Sequence, residues 1–354
     1  MQGKYKALWL NEDEELEVID QQKLPFEYET KVLKTTDEVV KAIKDMTVRG
    51  AGVIGSVAAF GVYVATKEVK NYEELKQKAT LIRESRPTAI NLMWAVDKMM
   101  HLLKNSTNLV QDAKRYAIEL NDAEAIESQK IASFGADIIE KILKQKDTKT
   151  INILTHCNAG WLAVIDEGTA LAPIYEAKKR GIDVHVWVDE TRPRNQGASL
   201  TAWELTQSGI KHTIIADNTG GHLMQNGMVD MVIVGADRVS ANGDVANKIG
   251  TYLKALSAYD NNIPFYVAIP ASTFDFDIKD GKDIPIELRS EDEVKYIKGV
   301  DAEGRVREVL ITPKDSPAIN YGFDVTPARL VTGLITNKGV CEATFEKIKE
   351  RFMH

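Results

Sequence analysis

The chain has 354 residues, 44% of them hydrophobic and 27% charged, which is enough for two packed domains of an ordinary globular protein. A formal net charge of −7, without any run of clustered lysine and arginine, argues against nucleic acid as a partner. Two cysteines, Cys157 and Cys341, are too few for a disulfide framework, and no signal-peptide core or membrane-length apolar run is present, which predicts a cytoplasmic location.

The first part of the chain changes pattern once. Residues 5–33 alternate polar and apolar side chains, which is typical of short strands at an exposed edge. From Thr36 to about Lys144 the apolar residues recur with a helical period, as Val39 and Ile43 do. We therefore expect an N-terminal domain of short strands and helices, with its boundary inside the helical region, between residues 125 and 126.

The second part contains short apolar runs rich in valine and isoleucine, separated by helical or glycine-bearing segments. Near-continuous apolar strands that alternate with helices are typical of a parallel sheet covered on both faces. The sequence thus predicts an α/β fold, with a second domain over residues 126–354. The polar segment 275–304 is interpreted as a surface excursion, with a mobile flap as the alternative. The predicted strands are Ile151–Thr155, Val184–Val188, His212–Ala216, Met231–Val234, Phe265–Ile269 and Val309–Ile311.

Polar side chains follow four of these strands directly. In open α/β sheets a ligand crevice lies at the carboxyl ends of the strands, so side chains from separate elements meet there. The sequence therefore predicts a functional site at this edge. The segments concerned are His156–Gly160, Asp189–Pro193, Asp217–Asn218 and Gly235–Arg238.

Residues Arg49–Gly55 contain a formal G-x-G-x-x-G pattern. A dinucleotide-binding loop has to follow a strand, whereas the residues before Arg49 have a helical pattern, so we reject a nicotinamide cofactor. A loop that opens a helix could instead hold phosphate or sugar oxygens on its first N–H groups. Close packing of helices on the glycines is the alternative.

Cys157 follows the strand Ile151–Thr155 and precedes a segment, Leu162–Arg180, that we predict to be one long helix. The positive end of a helix favours thiolate over thiol, and an ordinary thiol near pKa ~8.5 is only slightly ionised at neutral pH. Cys157 is thus a candidate catalytic base, or else an inert small hydrophobic residue. Cys341 has no such setting and is interpreted as structural.

Asp237 follows four apolar residues, Met231–Val234, and enters a glycine-bearing turn. It could cap that turn, or act as a general acid if an apolar pocket keeps its carboxyl protonated. Asp189, Asp217 and Asp237 together raise magnesium as an alternative. No ligand spacing supports it, so we expect no metal.

Several other side chains have a binding interpretation and a simpler one. Arg86, which precedes Pro87, could clamp a phosphate, or be a surface arginine beside a helix start. Gln196 could orient a sugar hydroxyl. Asn247 and Lys248 could supply an amide and a cation, although such pairs often begin a solvated helix.

These motifs, taken in order, resemble the 5-methylthioribose-1-phosphate isomerases, a family related to the regulatory subunits of initiation factor 2B. The resemblance implies a cofactor-free homodimer with a small N-terminal domain and a Rossmann-like C-terminal domain. It also implies conversion of an aldose 1-phosphate into a ketose 1-phosphate, most simply of 5-methylthioribose 1-phosphate in methionine salvage. The matching segments are 47–51, 86–92, 154–160, 189–193, 196–198, 235–239, 242–252, 263–267 and 323–327.

The resemblance further implies that Cys157 and Asp237 are the catalytic pair. The residues that it implies as substrate contacts are Arg49, Gly50, Ala51, Arg86, Gln196, Asn247 and Lys248. The mechanistic hypothesis is that a protonated Asp237 opens the sugar ring and a Cys157 thiolate moves a proton from C2 to C1. A hydride shift from C2 to C1 is the alternative.

Three departures from the family pattern bear on the substrate. Gly52 stands where the family usually has proline, and Trp161 and the pair Gly220-Gly221 are unusual. Isomerases acting on 5-deoxyribose 1-phosphate or ribose 1,5-bisphosphate share much of the pattern, so the 5-substituent stays open. A non-catalytic regulatory subunit is the alternative from another class, but such a subunit has no need for both Cys157 and Asp237.

Overall fold

The structure is a computed structural model that describes residues 6–86, 89–146 and 148–352. It divides into two compact units, the first with residues up to 129 and 159–171, the second with 130–158 and 172 onward. The segment 159–171 therefore belongs with the N-terminal part of the chain, although it follows the first strand of the second unit. The sequence predicted one division, between residues 125 and 126, and did not predict that segment 159–171 belongs to the first unit. The domain boundary at 125/126 stays a prediction.

The first unit begins with a three-stranded antiparallel sheet, in which β2 is the central strand. The short strands predicted within residues 5–33 are thereby confirmed. Their bounds are β1 (Leu8–Leu10), β2 (Leu16–Ile19) and β3 (Thr30–Leu33).

The described part of residues 36–144 is mostly helical, as the apolar period predicted, and contains five helices. A capping box between Thr35 and Glu38 starts the first of them, and the second is buried along almost its whole length, which makes it the centre of this unit's core. The division between the two units falls within the fifth helix. The bounds are α1 (Thr36–Lys44), α2 (Ala51–Thr66), α3 (Tyr72–Arg83), α4 (Ile90–Leu103) and α5 (Leu109–Lys144).

The second unit carries the remaining strands and helices. Its strands are β4 (Thr150–Thr155), β5 (Asp183–Asp189), β6 (Lys211–Ile215), β7 (Met231–Val234), β8 (Arg238–Ser240), β9 (Val245–Lys248), β10 (Phe265–Ile269), β11 (Phe274–Asp275), β12 (Tyr296–Val300), β13 (Val306–Leu310), β14 (Phe323–Thr326), β15 (Gly333–Thr336) and β16 (Gly339–Cys341). Its helices are α6 (Ala172–Lys179), α7 (Ala202–Gln207), α8 (Thr219–Gln225), α9 (Thr251–Asp260), α10 (Asp292–Lys295) and α11 (Phe345–Phe352).

The main sheet of this unit has seven strands in the order β16-β15-β10-β7-β4-β5-β6. All neighbours pair in parallel except β16, which lies antiparallel on β15. The predicted α/β class with a parallel sheet is therefore confirmed. A smaller sheet, ordered β11-β8-β9-β14, follows the carboxyl end of β7 in the chain.

Two elements differ from the sequence prediction. Val309–Ile311 does not enter the parallel sheet, because β13 forms an exposed antiparallel hairpin with β12. The single helix predicted over Leu162–Arg180 is also wrong, since residues 161–171 form turns and only α6 is helical. Asp166 and Gly168 adopt positive φ angles, 65° and 85°, which a continuous right-handed helix excludes.

The predicted excursion 275–304 contains local structure, namely α10 and β12, and the mobile-flap alternative stays a prediction. Pro87, singled out beside Arg86, lies outside the described residues. Within the described ranges, no helix combines the length and the hydropathy that crossing a bilayer requires.

Candidate active site

Cys157 lies two residues beyond the end of β4 in a left-handed backbone conformation, with φ at 66°. Its amide donates to Oγ1 of Thr191 over 2.9 Å, and Oγ1 of Thr201 donates to its carbonyl over 2.7 Å. This conformation costs a residue with a Cβ roughly 1–2 kcal/mol, so the surrounding structure must hold it. Such strained residues cluster at functional sites, which makes Cys157 a candidate on structural grounds as well.

Thr191, after β5, is itself left-handed, with φ at 65°. Its amide and that of Arg192 donate to the two carboxylate oxygens of Asp217 over 2.8 and 2.7 Å. Its hydroxyl donates to the carbonyl of Asp189 over 3.0 Å while it accepts from Cys157. The residues that follow β4, β5 and β6 are thus tied together, as expected for the carboxyl edge of a parallel sheet.

Asp237 lies three residues beyond β7, and its amide donates to the carbonyl of Ala246 on β9 over 2.9 Å. Its side chain is exposed. Burial lowers the pKa of Arg289, but hydrogen bonding and charge from Glu293, with smaller contributions from Glu287 and Asp237, raise it overall.

The expectation that an apolar pocket encloses Asp237 is therefore wrong for this structure, and the protonation of its carboxyl in the reaction stays a prediction. The four apolar residues Met231–Val234 are all buried in β7, but Asp237 follows after the strand has left the core. An apolar run in the sequence predicts that the residues of the run are buried. It does not predict the burial of a residue that follows the end of the strand.

Gln196 is 9% exposed, and its Oε1 is buried with no hydrogen-bond partner in the part of the chain that the structure describes. The next residue has to be glycine, since a Cβ on Gly197 would lie 1.7 Å from the carbonyl oxygen of Asp189. Gly197–Thr201 forms a π-helical turn that leads into α7, a feature often found at functional sites. The open acceptor on Gln196 fits a donor from a ligand, such as a sugar hydroxyl.

Asn247 and Lys248 are buried in β9, so the alternative of a solvated helix start is wrong for both. Asn247 Nδ2 donates to Oγ1 of Thr251 over 3.0 Å. Lys248 Nζ donates to the carbonyl of Gly322 over 3.0 Å and lies 4.8 Å from the ring centroid of Phe323. A buried ammonium group suits an anionic ligand, because desolvation strengthens its attraction for opposite charge.

His156 is a buried residue of the site that the sequence analysis assigned no role. Its Nδ1 lies 2.8 Å from Oδ2 of Asp189, and its Nε2 lies 2.8 Å from the carbonyl oxygen of Ile249. Lys254 Nζ lies 3.2 Å from the same Asp189 oxygen. Burial raises the pKa of Asp189, while the hydrogen bond from His156 and the charge of Lys254 oppose that rise. The signal in the sequence is the position of His156 beside Cys157, but its partners are distant in the chain.

His156, Asp189 and Asp217 could in principle hold a metal, since one ligand atom from each lies within 4.8 Å of the others. The set fits poorly, however. The Lys254 ammonium contacts both Asp189 Oδ2 and the carbonyl of Asp217, and it takes the place of a cation there. Both carboxylate oxygens of Asp217 already accept amide hydrogens. Asp237, the third aspartate of the magnesium alternative, is not part of this group.

In the first unit, Arg49 and Gly50 lead into α2, which begins at Ala51. Gly50 has φ at 89°, and a Cβ there would lie 2.4 Å from Cα of Ala163, so only glycine fits. The motif follows α1 rather than a strand, which supports the rejection of a dinucleotide loop. The amide of Val53 in the first turn already donates to the carbonyl of Ala163 over 3.0 Å. The anion-binding interpretation therefore falls on the amides of Ala51 and Gly52, which have no partner within the helix.

Arg86 is half-buried between α3 and α4, and its carbonyl accepts the amide of Ala89 over 3.0 Å. Its predicted contact with phosphate stays a prediction. A further titratable group of this unit escaped the sequence analysis. Glu124 of α5 accepts a hydrogen bond from Ser56 over 3.1 Å, and desolvation by burial, opposed by that bond and assisted by the charge of Glu127, raises its pKa to about 7.

Comparison with known proteins gives the class of the chain. Residues 40–343 match the initiation factor 2 subunit family, and the chain belongs to that family. It is 77% identical, over 99% of both chains, to the methylthioribose-1-phosphate isomerase of Sulfurimonas denitrificans. The resemblance found in the sequence is thereby confirmed.

Two solved structures share the fold. The 5-methylthioribose 1-phosphate isomerase from Pyrococcus horikoshii superposes with a TM-score of 0.85 at 37% identity, over 98% of this chain and 96% of that chain. The translation initiation factor eIF-2B subunit delta from A. fulgidus gives 0.84 at 35% identity, over 99% of each chain. The fold alone therefore does not distinguish an isomerase from an initiation-factor subunit, and the distinction depends on the residues of the candidate site.

Proposed function

We propose that this protein is an aldose–ketose isomerase that converts 5-methylthioribose 1-phosphate into 5-methylthioribulose 1-phosphate, a step of methionine salvage, without a cofactor. The observation that carries the proposal is the position of Cys157 and Asp237 directly after two neighbouring parallel strands, β4 and β7. The full-length relative at 77% identity supports the same reaction.

The order of the parallel strands explains why these two positions matter. Numbered along the chain, the six parallel strands lie in the order 3-2-1-4-5-6, which is the Rossmann-like order. Ligands bind where that order reverses, between strands 1 and 4, which here are β4 and β7. Ile153 lies opposite Met231 and Leu154 opposite Val232, so Cys157 and Asp237 leave adjacent strands at the same edge.

The proposed mechanism needs one acid and one base. A phosphate on the anomeric oxygen keeps the sugar in its ring form, so a proton must reach the ring oxygen before C2 can be deprotonated. Asp237 is exposed in the free protein, and in the proposed mechanism it carries the proton when bound sugar displaces water, because desolvation raises a carboxyl pKa. The Cys157 thiolate then removes the C2 proton and returns one to C1, while the C2 hydroxyl gives its proton back to Asp237 as the C2 carbonyl forms.

The proposed substrate contacts keep their predicted roles on each unit. Gln196 offers an open acceptor to a sugar hydroxyl, and Asn247 and Lys248 offer a buried amide and cation. The first turn of α2 with the preceding Arg49 offers donors for anionic oxygens, and Arg86 keeps its predicted contact with phosphate. The residues proposed on the first unit are Arg49, Gly50, Ala51 and Arg86. A homodimer and a cytoplasmic location are proposed on the family resemblance and the composition.

The test is turnover of 5-methylthioribose 1-phosphate by the purified full-length protein, followed by NMR of the product. 5-Deoxyribose 1-phosphate and ribose 1,5-bisphosphate are measured beside it, and the highest kcat/KM identifies the 5-substituent. Reaction in D₂O tests the chemistry, because deuterium at C1 shows enolisation. Its absence would leave a hydride shift or a proton fully shielded from solvent. Binding of these sugars without turnover of any would instead support a regulatory subunit.

A further inference from the structure

The polar segment after β11 contains a largely buried ion pair. Arg289 donates twice to Glu293 of α10, from Nε to Oε2 over 2.9 Å and from Nη2 to Oε1 over 2.7 Å. The two side chains are only 10% and 16% exposed. Burial raises the pKa of Glu293, but hydrogen bonds and charge from Arg289 and Arg194 lower it, to about 2 overall. Glu293 therefore stays a carboxylate at neutral pH, in the bidentate geometry that orients a guanidinium best.

Two arginines from the turn after β5 fix this segment from the other side. Arg194 Nη1 donates to Oε1 of Glu293 over 2.8 Å, and Arg192 Nη2 donates to the carbonyl of Val294 over 2.7 Å. Both follow Thr191, whose hydroxyl accepts from the amide of the proposed base. The segment is thus bonded to a turn that already belongs to the candidate site.

The aliphatic stem of Arg289 packs on the backbone of Gly322. A Cβ on Gly322 would lie 3.1 Å from Cδ of Arg289 and 3.6 Å from its Cγ. Backbone hydrogen bonds join the same two stretches, because the amide of Gly322 donates to the carbonyl of Glu287 and the amide of Arg289 donates to that of Asn320, each over 2.9 Å. The position of Arg289 therefore determines the position of Gly322.

The carbonyl of Gly322 is in turn a support for Lys248. It accepts from Nζ of Lys248 over 3.0 Å and from the amide of Ile249 over 3.2 Å. Lys248 ends β9 and is 6% exposed. A lysine has four rotatable bonds, so its ammonium group stays in one place only where its surroundings hold it.

We propose that Glu293 and Arg289 are positioning residues for Lys248, and that they hold its ammonium group where it binds the phosphate of the substrate. The inference rests on the proposed substrate contact of Lys248. Glu293 fixes the Arg289 guanidinium, the Arg289 stem fixes Gly322, and the Gly322 carbonyl fixes the ammonium. The sequence predicted a surface excursion over residues 275–304, whereas residues 287–293 support the phosphate site.

The sign of one substitution distinguishes positioning from charge alone. Glu293→Gln removes a negative charge, and if charge alone mattered, phosphate would then bind more tightly because one repulsion is lost. Positioning predicts weaker binding, because glutamine cannot accept both hydrogen bonds from Arg289. The support under Lys248 is then released.

The test is isothermal titration calorimetry with 5-methylthioribose 1-phosphate and with inorganic phosphate, on the full-length protein with Cys157→Ser to prevent turnover. We expect Glu293→Gln to raise both Kd values by about tenfold or more, with the number of sites unchanged. A merely structural loss would lower the number of sites and leave the Kd of the folded protein as it was. Asp301→Asn is the matched control and should leave Kd unchanged, because Asp301 also accepts from two arginines, Arg305 and Arg307, but within the β12–β13 hairpin.

Arg289→Ala and Arg289→Lys give a second, independent comparison that does not need Glu293→Gln to fold. Lysine keeps an aliphatic stem on Gly322 and one bond to Glu293, so it should restore most of the affinity that alanine loses. Unchanged or tighter binding in Glu293→Gln, or a lysine variant no better than alanine, overturns the proposal, whether or not the parent turns substrate over. Binding that follows these expectations without turnover of any pentose 1-phosphate overturns the proposed function alone.

Discussion

The hydroxyl oxygen of Thr191 lies 2.9 Å from the amide nitrogen of Cys157 and 3.0 Å from the carbonyl oxygen of Asp189. One side chain thus accepts a hydrogen from the residue after β4 and gives one to the end of β5. It secures the left-handed backbone that presents Cys157. The hydroxyl is completely buried, so no water can replace it.

Replacing Thr191 with valine should therefore affect kcat more than KM. The change keeps the shape but leaves the buried amide of Cys157 without a partner, at a cost of about 1–3 kcal/mol in unfolding free energy. We expect a fall in kcat of roughly tenfold or more, because misplacement of a reacting group is costly. Thr336→Val, which removes another buried threonine hydroxyl bonded to the Gly339 carbonyl, should lower stability without lowering kcat.

The two cysteines offer a matched pair for testing the base. Both are buried and neither is in a disulfide, but only Cys157 lies at the end of a parallel strand at the switch in strand order. Cys157→Ser should reduce turnover by about 10² to 10⁴, the usual worth of one acid–base role. Cys341→Ser should retain nearly full activity, and equal losses in both variants would remove Cys157 from the mechanism.

Asp237 should bind a proton together with the substrate. In the free protein its carboxyl is exposed, and an exposed aspartate is ordinarily ionised at neutral pH. The Cys157→Ser variant is used so that no turnover occurs. When substrate is added near neutral pH in a weakly buffered indicator solution, we expect the complex to bind at most about one proton per site. The further change Asp237→Asn should abolish the uptake. Uptake that persists in that variant would assign the proton to another group.

Glu124 should make stability depend on pH. Its pKa is about 7 in the folded protein and near 4.5 when unfolded, so the folded state binds the proton more tightly. Stability should therefore fall as pH rises from about 4.5 to 7, and the full penalty should apply above 7. Glu124→Gln should match the parent Tm at low pH and exceed it at pH 8. Glu119→Gln, an exposed change on the same helix, should not.

The sequence was sufficient to place the proposed catalytic residues after strands of the parallel sheet, because strand ends are local features. The apolar runs that form β4, β5, β6, β7 and β10 can be recognised in the sequence without knowing which strands they pair with. Because parallel strands end at the same edge of a sheet, the polar residues that follow them lie at that edge. Val309–Ile311 has the same composition, yet it forms an exposed hairpin strand. Three apolar residues cannot distinguish these outcomes, since what differs is the neighbour they pair with.

The surroundings of those residues could not be predicted in the same way. His156 contacts the carbonyl of Ile249, which is 93 positions away in the chain, and no local sequence pattern predicts that contact. The exposure of Asp237 depends on where the chain leaves the core rather than on the residues before it. The turns after Cys157 follow from positive φ angles at Asp166 and Gly168, and only the glycine signals such an angle in the sequence.

The return of segment 159–171 to the first unit means that the polypeptide passes between the two units three times, at residues 129/130, 158/159 and 171/172. No single cut of the gene separates them. A fragment starting at residue 130 would lose two hydrogen bonds of this segment. The carbonyl of Ala163 would lack its donor, the amide of Val53 in α2, and the carbonyl of Gly168 would lack its donor, the hydroxyl of Ser128. One of these passages, at 158/159, directly follows Asn158, so splitting the chain there would cut it next to Cys157, the proposed base.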